Sequence, residues 1–404
     1  MSLKPLNLHN TMKYNFDEII DRHGTHSLKW DGRDLLIKLG FTERYDDETI
    51  PLFVADMDFS CPQPVLDALH ARVEQKMFGY TFHLSDNRYI NAIQGWFKRR
   101  HNWDINPESV VYSPGTVHAL HIAVRAFTKP GDKIIIQRPV YAPFTMAVEK
   151  NGRIIANNEL INEDGYYRIN FEELEALARD SKTTMMILCS PHNPVGRIWL
   201  PEELKQISNI CSKNGVLLVS DEIHGDLIRC NAKFYPIANI TDTENILVCT
   251  AINKTFNTAG LHCSNIIIDN PKLRKLFLKE MGLQSPSPFA ISALIAAYEK
   301  GEDWLEQLKV YLDGNFDFLD SFLKNKLPDV RFRRPEGTYI AWLDFSGTGL
   351  SPDEVHNRIY NKANVFLEDG KMFGAGSEHF QRLCVPTPRK RLERAMERIL
   401  SAEF

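Results

Sequence analysis

A chain of 404 residues with 43% hydrophobic composition can bury more than one core. Its formal net charge of −4, with both signs mixed along the sequence, offers no basic stripe for nucleic acid. Seven cysteines without a C-x-x-C pair suggest the reduced thiols of a cytoplasmic protein, and no apolar run has the length of a membrane span.

Residues 13–45 are polar and aromatic with weak periodicity, and read as an arm. From residue 62 onward, helices alternate with short apolar runs. "SPGTVHALHIAVRAF" carries Val117, Leu120, Val124 and Phe127 at helical spacing, and "DKIIIQRPVY" reads as a strand ending in a turn. "TTMMILCSPHNPVG" is a buried strand running into a loop. "PEELKQISNICSKNG" is a helix with Pro201 at its first position and Gly215 as its cap. "VLLVSDEIH" and "NILVCTAINK" are two further strands. Such alternation predicts parallel βα units, whose ligands collect at the carboxyl ends of the strands. Those ends carry Tyr141, Asn193, Asp221, His224 and Lys254. After a Pro-rich joint at 284–289 the pattern changes to long helices, a strand in "TYIAWLDF" and a charged helix from Arg389. The expected division is an arm and small-domain segment over 1–48, a large domain over 49–285 and a small domain over 286–404.

Lys254 lies between two apolar segments, where an ammonium group is costly to bury. An amine at a strand end can form a Schiff base with a carbonyl. A pyridine aldehyde would need a carboxylate at its ring nitrogen, and Asp221 lies one strand upstream. Its phenolate oxygen would need a donor such as the Asn193 amide, and its ring a cover such as Tyr141. A phosphate would suit the helix start at Gly115, Thr116 and Val117. His118 and His121 sit three apart on a helix, but no acid or cysteine completes a metal set with them. The basic residues of "PRKRLER" read as a solvated helix face.

This ordered set resembles the pyridoxal-5′-phosphate enzymes of the aspartate-aminotransferase fold (fold type I). "VADMDF", "FGYT", "PHNPVGR", "VSDEIHGDL", "KTFNTAGL", "PEGTYIAWLDF" and "MFGAGSEHFQRL" resemble its cystathionine β-lyase branch, the MalY/PatB-type C–S lyases. The resemblance implies an α/β large domain with a mostly parallel seven-stranded sheet and a smaller α+β domain. It implies that Lys254 is the Schiff-base lysine, Asp221 the partner of the pyridine nitrogen, Asn193 the phenolate donor and Tyr141 the stacking aromatic. Arg382 would bind the substrate α-carboxylate, and Tyr80 would reach the phosphate in the neighbouring subunit of a homodimer. His224 and Thr250 would also lie at the cofactor. Three positions depart from family patterns. His262 stands where class I aminotransferases commonly have a phosphate-binding arginine, His224 where they favour tyrosine, as in the lyase branch, and Asn253 where this branch usually has serine. The implied reaction is α,β-elimination of a sulfur amino acid to pyruvate, ammonia and a thiol. An aminotransferase shares its early steps, and a non-catalytic regulator on the same fold is the third alternative.

Overall fold

The computed structural model describes residues 13–404, so residues 1–12 of the expected 1–48 arm lie outside the described residues. Short apolar runs form β1 (Val110–Ser113), β2 (Lys133–Ile136), β3 (Ile154–Asn157), β4 (Thr183–Cys189), β5 (Leu217–Asp221), β6 (Ile246–Ala251) and β7 (Ser264–Ile267). They make one seven-stranded sheet in the order β1-β7-β6-β5-β4-β2-β3. The neighbours from β6 to β3 are parallel, whereas β7 is antiparallel to both β6 and β1. The exception has a local cause. Between β6 and β7 lie only two helical turns, Ile252–Thr255 and Ala259–Leu261, too short to carry the chain back across the sheet.

The central strands read as unbroken apolar runs because both faces are covered. Met186, Leu188, Leu218, Ile246 and Val248 enter one core, and the alternating Met185, Ile187, Leu217, Val219 and Leu247 enter the other. The predicted helix after "SPGT" is α1 (Thr116–Phe127), and "PEELKQISNICSK" is α2 (Pro201–Lys213) with proline at its start. Asn214 caps α2, and Gly215 follows at φ +70°, a backbone conformation that suits glycine.

A second sheet contains β8 (Arg331–Phe332), β9 (Ile340–Asp344), β10 (Glu368–Asp369) and β11 (Phe380–Cys384), all antiparallel, in the order β8-β9-β11-β10. The charged C-terminal helix is α3 (Arg389–Leu400). Ile50–Pro51 pairs in parallel with Val365–Phe366, which joins the arm side of the chain to this second unit. The arm carries two short helices, Leu28–Asp31 and Arg33–Lys38. It is fastened by charge: Arg22 and Lys29 meet Asp56 and Asp58, and Arg391 from α3 meets Asp58 at 3.1 Å. Asp58 is buried, so it depends on these cations and on the Thr387 hydroxyl, which donates to it at 2.8 Å.

The loop after β4 is pressed against the loop before β9. Gly196 has φ +73°, and a Cβ there would lie 2.2 Å from Cβ of Pro335. Both Glu336 and Gly337 donate their N–H groups to the Gly196 carbonyl at 2.9 Å. This contact sets the Asn193 loop beside Tyr339 and the second sheet.

Candidate active site

Three parallel strands end together and define the site. Cys189, Asp221 and Cys249 are side by side across β4, β5 and β6. Asn193 follows β4 by four residues, and Lys254 follows the end of β6 by three. Lys254 is not in a strand; it sits in the helical turn Ile252–Thr255 that reverses the chain before β7.

Lys254 Nζ donates to the carbonyl of Ala55 at 2.5 Å. Burial, and then the nearby Arg382 cation, push its ammonium down to about 8. A substantial share of the lysine is therefore the free amine at mildly alkaline pH, the form able to attack a carbonyl. Asp221 is buried, and burial pushes its carboxyl up to about 7 against the weaker pull of the Ile223 N–H and Lys254. The Ile223 N–H reaches it at 3.4 Å. A carboxylate so poorly served is stabilised by any cationic N–H that approaches it.

Arg382, on β11, is buried and donates from Nη1 to Asn193 Oδ1 at 3.2 Å. Phe373 covers its guanidinium at 5.1 Å, and Glu368 on the adjacent β10 contacts Nη2. Tyr141 lies beyond the end of β2. Its N–H donates to the Asn193 carbonyl at 3.1 Å, so these two residues are fixed to each other. His224 is buried, and burial beside Lys254 and Arg382 drives its imidazole well below its usual range, so it stays neutral. Its ring packs edge-on against Tyr339 at 5.5 Å, and Nδ1 has no partner. Asn253 Oδ1 is likewise buried without a partner.

The structure thus brings Lys254, Asp221, Asn193, Arg382, Tyr141 and His224 together. Gly115, Thr116 and Val117 form the start of α1, where no side chain caps the helix and its first N–H groups remain available. Thr250 is oriented into the sheet, its hydroxyl donating to the Asn265 carbonyl at 3.2 Å. His262 is exposed in a left-handed turn. Tyr80 stands apart, fully exposed beside Met77, Phe78 and Phe82, which are also exposed. Among the described residues no cluster of histidine, cysteine and acid suits a metal, and no helix is long and apolar enough to cross a membrane.

Ala55 and Tyr339 lie within "VADMDF" and "PEGTYIAWLDF", but their residue types alone point to no role. The Ala55 carbonyl accepts from both Lys254 and the Tyr339 hydroxyl, the latter at 2.7 Å. A backbone acceptor leaves no signature in residue type. The preceding Val54 is at φ +50°, a strained conformation for a β-branched residue that costs roughly 1–3 kcal/mol. The ion pairs of Asp56 and Asp58 hold that loop in place.

This donor set fits pyridoxal phosphate. It offers an amine of lowered proton affinity, a buried carboxylate in need of a cationic partner, an amide, unpartnered imidazole and amide atoms, and a free helix start.

Comparison with known proteins agrees with this geometry. Residues 48–399 match the family model for aminotransferase class I and II. The chain is 43% identical to the cystathionine beta-lyase PatB of Bacillus subtilis (strain 168), over 96% of this chain and 99% of that one. Among solved structures, cystalysin from Treponema denticola, which contains a pyridoxal 5′-phosphate cofactor, superposes with a TM-score of 0.91. It is 36% identical, over 97% of this chain and 99% of that one. A PLP-bound putative aminotransferase from Clostridium difficile 630 gives a TM-score of 0.91 at 39% identity, over 96% and 99%.

Proposed function

Because the chain belongs to the aminotransferase class I and II family, we propose that its site performs pyridoxal-phosphate-dependent β-elimination of sulfur amino acids, giving pyruvate, ammonia and a thiol. The observation that carries the reading is Lys254: an amine set between Asp221 and Arg382, with its proton affinity lowered to about 8. The kinship with a cystathionine beta-lyase at 43% identity selects elimination within the family.

When bound, the cofactor supplies an electron sink for the bond broken at Cα. Lys254 would anchor it and, as a free amine, would take the Cα proton of the substrate. Asp221 would keep a proton on the ring nitrogen. Asn193 would donate to the phenolate oxygen, Tyr141 would cover the ring, and the N–H groups at Gly115, Thr116 and Val117 would hold the phosphate. Arg382 binds the α-carboxylate with a planar fork that a lysine cannot reproduce. Buried, neutral His224 adds a polar atom without adding charge.

Incubation with cystathionine and no 2-oxo acid tests the reaction: pyruvate is expected to form. If product appears only when a 2-oxo acid is added, the protein is an aminotransferase, the reading favoured by the name of the Clostridium difficile neighbour.

Arg382→Ala should weaken amino-acid binding by about 2–5 kcal/mol, the size expected when a buried charge loses its partner. Arg382→Lys should rescue poorly. Spectral titration of the cofactor-loaded enzyme with substrate measures this, and unchanged affinity would place the carboxylate elsewhere.

The full exposure of Tyr80 among apolar neighbours supports a homodimer in which Tyr80 completes the partner's site. Mixing Tyr80→Phe chains with Lys254→Ala chains should then restore activity, up to about half of the sites in a mixed dimer under two-fold symmetry. A fully active monomer, or mixed dimers with no recovered site, would refute shared sites.

A further inference from the structure

Arg382 receives the substrate carboxylate in the proposed function, yet a carboxylate of this chain already sits on it. Glu368 is directly opposite Arg382 across β10 and β11, and its Oε2 contacts Nη2. A guanidinium has two edges that can grip a carboxylate with two prongs, Nε with Nη2 and Nη1 with Nη2. Both include the atom that Glu368 contacts. Nη1 is also engaged by Asn193, while Nε is buried without a hydrogen-bond partner. An incoming carboxylate must therefore share Nη2 with Glu368 or displace it.

Displacement has a route. The Glu368 side chain is 16% exposed and that of Arg382 only 2%; the oxygen on Nη2 is itself buried, so it is the rest of the acid's side chain, not the base's, that borders the surface. Glu368 also lines a groove with Val54, Tyr360, Phe366, Leu367 and Met372, between the arm and the second sheet.

We propose that Glu368 is an internal stand-in for the substrate carboxylate: it neutralises Arg382 in the empty site and is displaced when an amino acid binds. The inference rests on the reading of Arg382 as the carboxylate receptor. Binding then exchanges one carboxylate for another on a single guanidinium. The exchange lowers affinity for amino acids while sparing the enzyme an unpaired buried cation beside Lys254. Glu368 thus acts on binding through Arg382, as a positioning residue.

The test uses the holoenzyme and two ligands read by the cofactor spectrum: L-alanine, which has no β leaving group, and L-alaninol, which lacks the carboxylate. Glu368→Gln and Glu368→Ala should each bind L-alanine at least about tenfold more tightly, because the competing charge is gone. L-alaninol binding should be unchanged. In turnover, KM for cystathionine should fall more than kcat changes. Unchanged or weaker L-alanine binding in both variants overturns the proposal, since a purely structural partner of Arg382 would weaken it. A structure of the wild-type enzyme with L-alanine gives an answer independent of the variants. Glu368 off Nη2 supports the exchange, and Glu368 still seated there overturns it. Wild-type enzyme that responds to no amino acid would overturn the proposed function itself, and this inference with it. A wild-type response without tightening in the variants overturns the exchange alone.

Discussion

Lys254→Ala is expected to lower turnover roughly 10⁴-fold or more, the upper range for loss of a positioned general base, because the same residue also anchors the cofactor. Borohydride reduction of the wild-type protein should fix the cofactor to the peptide containing Lys254, and the variant should yield no such adduct. A second consequence follows from the proton affinity of the amine. Burial and Arg382 bring it down to about 8, so the neutral form grows as pH rises through that value. Cofactor capture by the apoprotein should accelerate between about pH 7 and 9 and then level off, one proton being lost by one group with its midpoint near 8. Arg382→Ala removes one of the two depressing causes, and should move this limb to higher pH. An adduct on another lysine, or capture indifferent to pH in this range, removes Lys254 from the role.

Some of this site was legible in the sequence because residue type and element order carried it. Asp221 closes an apolar run and Asn193 opens a Pro/Gly loop, and the ends of parallel strands gather such residues whatever their distance along the chain. The positions of β4, β5 and β6 followed from length and apolarity alone. The reversal into antiparallel β7 did not, because it depends on how little helix fits between Ile252 and Cys263. Arg382 lies on another sheet, over a hundred residues beyond Lys254. Its place followed from the family resemblance, since no local pattern ties it to the strand ends. The Ala55 carbonyl and the Glu368 contact were invisible for a different reason. The first is a backbone atom at a strained turn, and the second depends on the register of β10 against β11. Tyr80 is the converse case: its motif was readable, but within one chain it touches none of the other site residues, so its role requires a second copy.

Asp221→Asn should cut turnover at least roughly 10²-fold, the scale of losing one oriented electrostatic group in a buried site, while leaving cofactor anchoring largely in place. The amide keeps the shape and can still accept a hydrogen bond, but it cannot balance a positive charge on the ring nitrogen. The same substitution should have the opposite effect on the empty protein. Burial raises the Asp221 carboxyl from the ordinary range to about 7. The folded state therefore binds more protons than the unfolded state between about pH 4 and 7, and stability falls as pH rises through that window. Above pH 7 the full penalty of a buried, ill-partnered anion is present, and below about pH 4 it is absent. The Asp221→Asn apoprotein should accordingly melt higher than wild type at pH 8, with the gap closing as the pH is lowered toward 5. A group retained at a cost to the empty fold, and needed once the cofactor is bound, is the mark of a residue placed for chemistry. Melting curves of both apoproteins across this range, set beside turnover of the reconstituted enzymes, measure the two halves together. Near-wild-type turnover would remove Asp221 from the ring nitrogen. A variant apoprotein that melts lower at pH 8 would show that Asp221 supports the fold, contrary to the electrostatics described for its site.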